Sequence, residues 1–463
     1  MLAPMINYFF PDVKKEETRM FGLLAITGFF VIGTYWLLRL LKNTIFYTVA
    51  FPVELGWPAQ QGTAFQPLAK VISPFVVLAV VLIYSKLIDM FKKHQLFYII
   101  CFFYGTLFAI IGSIIAIKDV YGAQVLGREV LAITGWFSYF AVESFGSLLP
   151  ALFWSFTNSI STTDAAKRGF PLIVTFMQIG AIGGSALLLV TEHVGSLSPF
   201  VCAASLLTFA VAGMMHYFMS TIPASQMVGN PTAAATEKKK EGFFEGFYSG
   251  ILLLVTRPYL LSVFVVSTFY EIASQIIDFQ MHAQANRIYT ATEFSWFEGV
   301  FGVLSNGLSF MIALLGTSYI VKRFGIRVSL MIYPVLFAIT IAALLLFFLY
   351  GAPTTAQLLW ATLASFMIIK SVGYAVNNPL KEMMYIPTSK DAKFKSKGWT
   401  DMFGGRIAKG TGGYINGWFK HDPAMLMVYG TFISFGIIGV WMAAALYLGR
   451  KNQKLIASGE IIE

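Results

Sequence analysis

Residues 220–256, STIPASQMVGNPTAAATEKKKEGFFEGFYSGILLLVT, are the largest break in composition along this 463-residue chain. The segment is polar, with Gly229-Asn230-Pro231 and the run Lys238-Lys239-Lys240. It reads as a cytoplasmic linker. The stretch Phe243-Phe244-Glu245-Gly246-Phe247-Tyr248 suits an interfacial helix. Outward from it, on both sides, lie about 200 residues of recurrent apolar runs, from 20 to 219 and from 257 to 449. A bilayer core about 30 Å thick is crossed by roughly 20 apolar residues of helix. Such runs recur to both ends.

Composition agrees. The chain is 57% hydrophobic and 12% charged, too little charge to coat a water-soluble fold, where about a quarter of residues are charged. Spans are expected near 20–42, 68–90, 95–117, 131–156, 171–192, 198–219, 257–281, 297–320, 327–350, 355–380, 400–420 and 424–449. The first is ambiguous, because apolar character continues past Arg39 and Lys42 through Ile45-Phe46-Tyr47-Thr48-Val49. The expected fold is an all-α integral membrane protein. It has about twelve transmembrane helices in two six-helix bundles, a major-facilitator-like plan, with a substrate site between the halves near the midplane. The expected domains are 1–219, a linker at 220–256, and 257–463.

Charge supports that count. With the N-terminus inside, the cytoplasmic segments hold 22 Lys and Arg and the outer loops hold 4, Lys118, Arg128, Arg287 and Lys420. An extra or missing helix would scramble this asymmetry. Both termini are therefore expected in the cytoplasm; the expected location is a bacterial inner membrane. The net charge of +10 follows from the same loops, and no compact basic domain is present to bind nucleic acid. Cys101 and Cys202 each sit in an apolar run and read as small buried or lipid-facing residues. Residues 1–19 mix Asp12, Glu16 and Glu17 with Lys14, Lys15 and Arg19, which is not the pattern of a removable signal.

Charges inside a membrane cost about 2.5–3.5 kcal/mol each on an insertion scale, yet this chain keeps Arg39, Lys42, Lys70, Lys86, Lys370, Arg406 and Lys409, with Glu143, Glu271, Asp278 and Asp401. Lys86 and Asp89 are near a helix end and suit snorkelling; Lys70 is near the other end. Glu143 and Glu271 fall about twelve residues into their spans, roughly 18 Å deep. Arg39 and Lys42 are three apart, as are Arg406 and Lys409, so each pair shares a helix face. Guanidinium and ammonium groups suit a polyanionic, phosphate-bearing cargo. The bland alternative is internal pairing, with Glu143 or Glu271 bridging to Lys42 or Lys409. That explains some pairs but not the basic excess.

Other motifs carry less. Gly404-Gly405-Arg406-Ile407-Ala408-Lys409-Gly410-Thr411 lacks phosphate-loop spacing and a strand before it. Gly180-Ala181-Ile182-Gly183-Gly184-Ser185 and Gly410-Thr411-Gly412-Gly413 read as close helix-packing surfaces. No histidine cluster or metal set is visible, so no cofactor is expected. A membrane enzyme and a structural protein are both disfavoured, the latter because it has no use for buried basic excess.

Residues 377–413, NNPLKEMMYIPTSKDAKFKSKGWTDMFGGRIAKGTGG, resemble the ATP/ADP translocase (nucleotide transporter) family of intracellular bacteria, plastids and microsporidia. LLRLLKNT (Leu37–Thr44), the run Trp136–Phe170 and TFYEIASQ (Thr268–Gln275) are similar to its other conserved stretches. The resemblance implies secondary nucleotide transport without covalent chemistry. It maps the family's functional charges onto Lys42, Glu143, Glu271 and Lys409. Lys370, Asn43, Gln275 and Asp401 are further candidates; Asn43 stands where the family has Asp, and Gln275 where it has Lys. The implied activity is ATP/ADP exchange by alternating access. Voltage would bias it, since one net negative charge moves. The alternatives are a proton-coupled importer of other nucleotides or NAD, and a major-facilitator carrier of a non-nucleotide anion.

Overall fold

The computed structural model describes residues 10–223, 226–227 and 243–462. The tripeptide 229–231 and Lys238–Lys240 of the expected linker lie outside these, as do the side chains of Asp89, Lys322 and Lys390.

The described chain is helical nearly throughout. α1 (Lys15–Thr48) runs unbroken past Arg39 and Lys42, beyond both ends of the expected first span. α2 (Gln61–Met90), α3 (Lys93–Tyr121), α4 (Ala123–Ile160), α5 (Thr163–Ala186) and α6 (Ser198–Thr221) follow. α7 (Phe243–Thr256) covers the segment expected to be an interfacial helix. α8 (Pro258–Ile288) is next. α9 (Ala291–Tyr350) breaks at Gly325, whose φ of 72° is a conformation glycine tolerates best, so one helix supplies two expected spans. α10 (Thr355–Val372) passes into a π turn, Gly373–Asn377, and α11 (Lys390–Trp399) into another, Thr400–Gly404, before α12 (Gly405–Trp418). α13 (Thr431–Ser458) ends the order.

Ten helical runs among the described residues are long and apolar enough to cross a bilayer. The fourth and eleventh expected spans fall instead on α4 and on the helical run from α11 through α12. These two are the helices that carry Glu143, and Arg406 with Lys409. Large apolar side chains such as Phe75, Phe102, Leu206 and Leu314 lie open on helix surfaces. Such faces are stable against hydrocarbon, where helices satisfy their own backbone groups.

The chain forms two compact units. The first takes in the described residues of Met1–Gly62, Phe75–Lys240 and Tyr289–Val303; the second, those of Thr63–Pro74, Glu241–Ile288 and Leu304–Glu463. In the first, α1 and α5 touch backbone to backbone. A Cβ on Gly33 would stand 3.0 Å from the Gly180 carbonyl oxygen, and one on Gly184 would collide with the Gly33 carbonyl. The 180–185 glycines are thus a packing surface, as read from their spacing. Gly184→Leu should overpack this seam by about 1–3 kcal/mol, seen as a lower unfolding midpoint in detergent; an unchanged midpoint would contradict the contact.

In the second unit Ile276, Phe279, Ile415 and Leu426 form an apolar knot joining α8 to α12. A Cβ on Gly412 would lie 2.6 Å from Gln275 Cβ, and one on Gly413 2.7 Å from Lys70 Cβ. The 410–413 glycines are therefore packing contacts too. They seat the short Thr63–Pro74 segment, with Lys70, inside this unit, although the sequence places Lys70 merely near a helix end.

Candidate functional site

Each unit buries its own charged cluster. In the first, α1 presents Arg39, Lys42 and Asn43 in its C-terminal third. Lys42 and Asn43 are 5% and 6% exposed. The Lys42 ammonium is salt-bridged to Glu143, midway along α4, and stands 4.6 Å from the Tyr139 ring centroid. Arg39 lies over Trp36 at 4.5 Å. Phe46, one turn beyond Lys42, packs edge-on to Trp136 at 4.9 Å and against Tyr139 at 5.0 Å. Beside Glu143, Tyr104 Oη donates to Ser144 Oγ at 2.7 Å, and Ser147 Oγ donates to the Glu143 carbonyl at 2.7 Å. These contacts hold α4 beside Glu143. The result is a cation set in an aromatic wall, where a low local dielectric strengthens charge–charge attraction.

In the second unit the face of α8 bearing Glu271, Gln275, Asp278 and His282 is polar at i, i+4, i+7 and i+11. Lys370, near the end of α10 and 8% exposed, reaches Glu271 at 3.6 Å and lies 5.4 Å from the Phe366 ring. Gln275 Nε2 donates to Asp278 Oδ2 at 2.7 Å, and Asn416 Nδ2 donates to the Gln275 carbonyl at 3.0 Å. His282 Nδ1 stands 3.6 Å from Asp278 Oδ1. Arg406 and Lys409 occupy α12, half-buried, on the helix whose glycines pack against α8. A π turn follows Lys370 closely and another precedes Arg406; such turns recur at functional sites because they re-aim side chains.

The sequence candidates therefore gather in two groups: Arg39, Lys42, Asn43 and Glu143 in the first unit; Glu271, Gln275 and Lys370 with Arg406 and Lys409 in the second. Of the pairings considered, Lys42 with Glu143 is present. Glu271 takes Lys370, which the sequence offers only as a further candidate. Asp401 is set apart. Its carboxylate is exposed and bonds Lys381 at 2.9 Å, beside a second surface pair of Lys397 and Glu382 at 2.6 Å. Exposed pairs contribute about 0–1 kcal/mol. Asp401→Asn should thus leave nucleotide uptake within about fivefold of wild type; a hundredfold loss would place Asp401 in the site.

Two buried groups escape the sequence reading. Glu298 and His282 are each 2% exposed. Glu298 lies at the edge of the expected eighth span, and His282 one residue past the expected seventh, so neither stood out as an intramembrane charge.

The protein-family model described as TLC ATP/ADP transporter matches residues 2–452. ADP,ATP carrier protein 1 of Rickettsia typhi is 23% identical over 493 residues, covering 97% of this chain and 96% of that protein. ADP,ATP carrier protein 2 of Arabidopsis thaliana chloroplasts is 24% identical, covering 95% and 75%. Among solved structures, a bacterial homologue of the iron transporter ferroportin in its inward-facing state gives a TM-score of 0.65 at 11% identity, covering 93% of this chain and 98% of that one. The nucleoside transporter NupG gives 0.58 at 16%, covering 92% and 98%. At such identities the likeness speaks for fold alone. The fold is that of multi-pass, major-facilitator-like transporters.

Proposed function

The chain belongs to the TLC ATP/ADP transporter family, and from that membership we propose that it exchanges ATP for ADP across a membrane, as a carrier and not an enzyme. The observation that carries this reading is the basic excess within the helices. Buried Lys42 and Lys370, with half-buried Arg39, Lys70, Arg406 and Lys409, outnumber Glu143, Glu271, Asp278 and Glu298. Amines held in apolar helices are costly unless an anion visits them.

We assign phosphate recognition to Lys42 and Arg39 in the first unit and to Lys370, Arg406 and Lys409 in the second. Glu143 and Glu271 occupy the amines of Lys42 and Lys370 when no nucleotide is bound. Entry of a phosphate exchanges one anion for another on the same ammonium, so the amine never stands bare in low dielectric. Trp136, half-buried in the aromatic wall, offers a flat face to a base. Carriage proceeds by alternating access between two six-helix halves, 1–219 and 257–463, with both termini cytoplasmic in a bacterial inner membrane.

The test is labelled ADP uptake into liposomes holding the purified protein, with and without internal ATP. Exchange predicts that internal ATP accelerates uptake about tenfold or more, since the loaded carrier returns faster than the empty one. Equal uptake into empty vesicles would overturn exchange.

A further inference from the structure

Buried His282 and half-buried Asp278 are titratable groups that phosphate recognition leaves unused. They lie one turn apart on α8, with His282 Nδ1 3.6 Å from Asp278 Oδ1 and the imidazole 2% exposed. Glu271 on the same helix is committed to Lys370. The charges acting on Asp278 are His282 itself, Lys70 from α2 and Lys370 from α10. α12, packed on the same face, carries Arg406 and Lys409 before its contact at Gly412. The Pro423–Gly430 segment, which accepts a hydrogen bond from Gln280 at Leu426, has no charged side chain.

A carboxylate held by a lysine is a poor proton carrier, because it stays ionised. An imidazole beside a carboxylate is a good one, because it changes charge near neutral pH. Asp–His sets inside membrane helices recur as proton relays in transporters for this reason. The local sum is simple. Lys70, Lys370, Arg406 and Lys409 outnumber Glu271 and Asp278 when His282 is neutral, and protonation of His282 adds one further positive charge. A polyanion binds the protonated state more tightly, so nucleotide and proton favour one another reciprocally. ATP carries one more negative charge than ADP near neutral pH, where the terminal phosphate has lost its last proton. It therefore draws the proton more strongly.

We propose that His282, supported by Asp278, binds one proton with ATP and releases it before ADP is carried back. ATP and one proton then cross against ADP with no net charge moved. This rests on the ATP/ADP exchange reading and adds its coupling ion and the group that holds it.

The experiment uses the full-length protein in liposomes loaded with ADP, with labelled ATP outside. A pH step and a potassium-diffusion potential are imposed separately. The wild type should reach an ATP accumulation about tenfold higher for each pH unit of outside acidity, one proton per nucleotide, and should be indifferent to voltage. His282→Gln should lose the pH response and become voltage-sensitive; Asp278→Asn should weaken the pH response. Wild-type exchange driven by voltage and blind to the pH step overturns the proposal and leaves the exchange reading standing, whether or not the variants fold. A full pH response in His282→Gln also overturns it. No labelled uptake in any arm overturns the exchange reading and the proposal with it.

Discussion

Lys42→Ala should lower ATP exchange by at least about a hundredfold. Removing one partner of a buried ion pair costs about 3–5 kcal/mol, because the other charge is left unpaired. Lys42 is 5% exposed, and its partner is Glu143. Loss of activity alone would not separate transport from folding, so the informative protein is the double variant Lys42→Ala/Glu143→Ala. With neither charge present, stability should return to within about 1–2 kcal/mol of wild type, as it does when buried pairs are replaced whole. Exchange should stay lost, since no ammonium remains for the phosphate. Unfolding midpoints and uptake measured on the same preparations decide it. Recovery of uptake in the double variant would make the pair a structural clamp.

Glu271→Gln should bind ATP more tightly and carry it more slowly. Glu271 stands 3.6 Å from Lys370 and competes with phosphate for the same ammonium. Charges at about 4 Å interact by about 4 kcal/mol near a protein surface. Even a fraction of that, released to the nucleotide, lowers KM by about tenfold. Binding strengthened in the resting complex is not recovered during translocation, so the maximal rate should fall by at least as much. Initial rates over a range of ATP concentrations test this. A raised KM would mean that Glu271 orders Lys370 for the substrate instead of competing with it.

Much of this was readable from the chain because a lone charge in an apolar run is conspicuous. Lys42, Glu143 and Glu271 announce themselves that way, and so does the spacing of glycines at 180–185 and 410–413. Pairing is a different matter. Lys370 and Glu271 are brought together by the packing of α10 and α8, and nothing local to either residue records it. Asp401 looked buried because it begins an apolar stretch, but the preceding helix turns it to the surface beside Lys381. His282 and Glu298 were missed because span edges are soft by several residues. α4 carries its polar groups at the cost of apolarity, and α12 is only 14 residues long, so neither has a strong membrane signature. The break at Gly325 falls between two expected spans, where the basic residues Lys322, Arg323 and Arg327 mark a loop.

The central claim is that buried amines recognise phosphates and not the nucleoside. Competition against labelled ATP uptake by unlabelled ATP, ADP, AMP and adenosine tests it most directly. Each charge-assisted bond to a phosphate is worth about 1.5–3 kcal/mol, so competition should weaken with each phosphate lost, AMP competing at least about tenfold less well than ATP, and adenosine not at all. Adenosine competing as strongly as ATP would contradict the account.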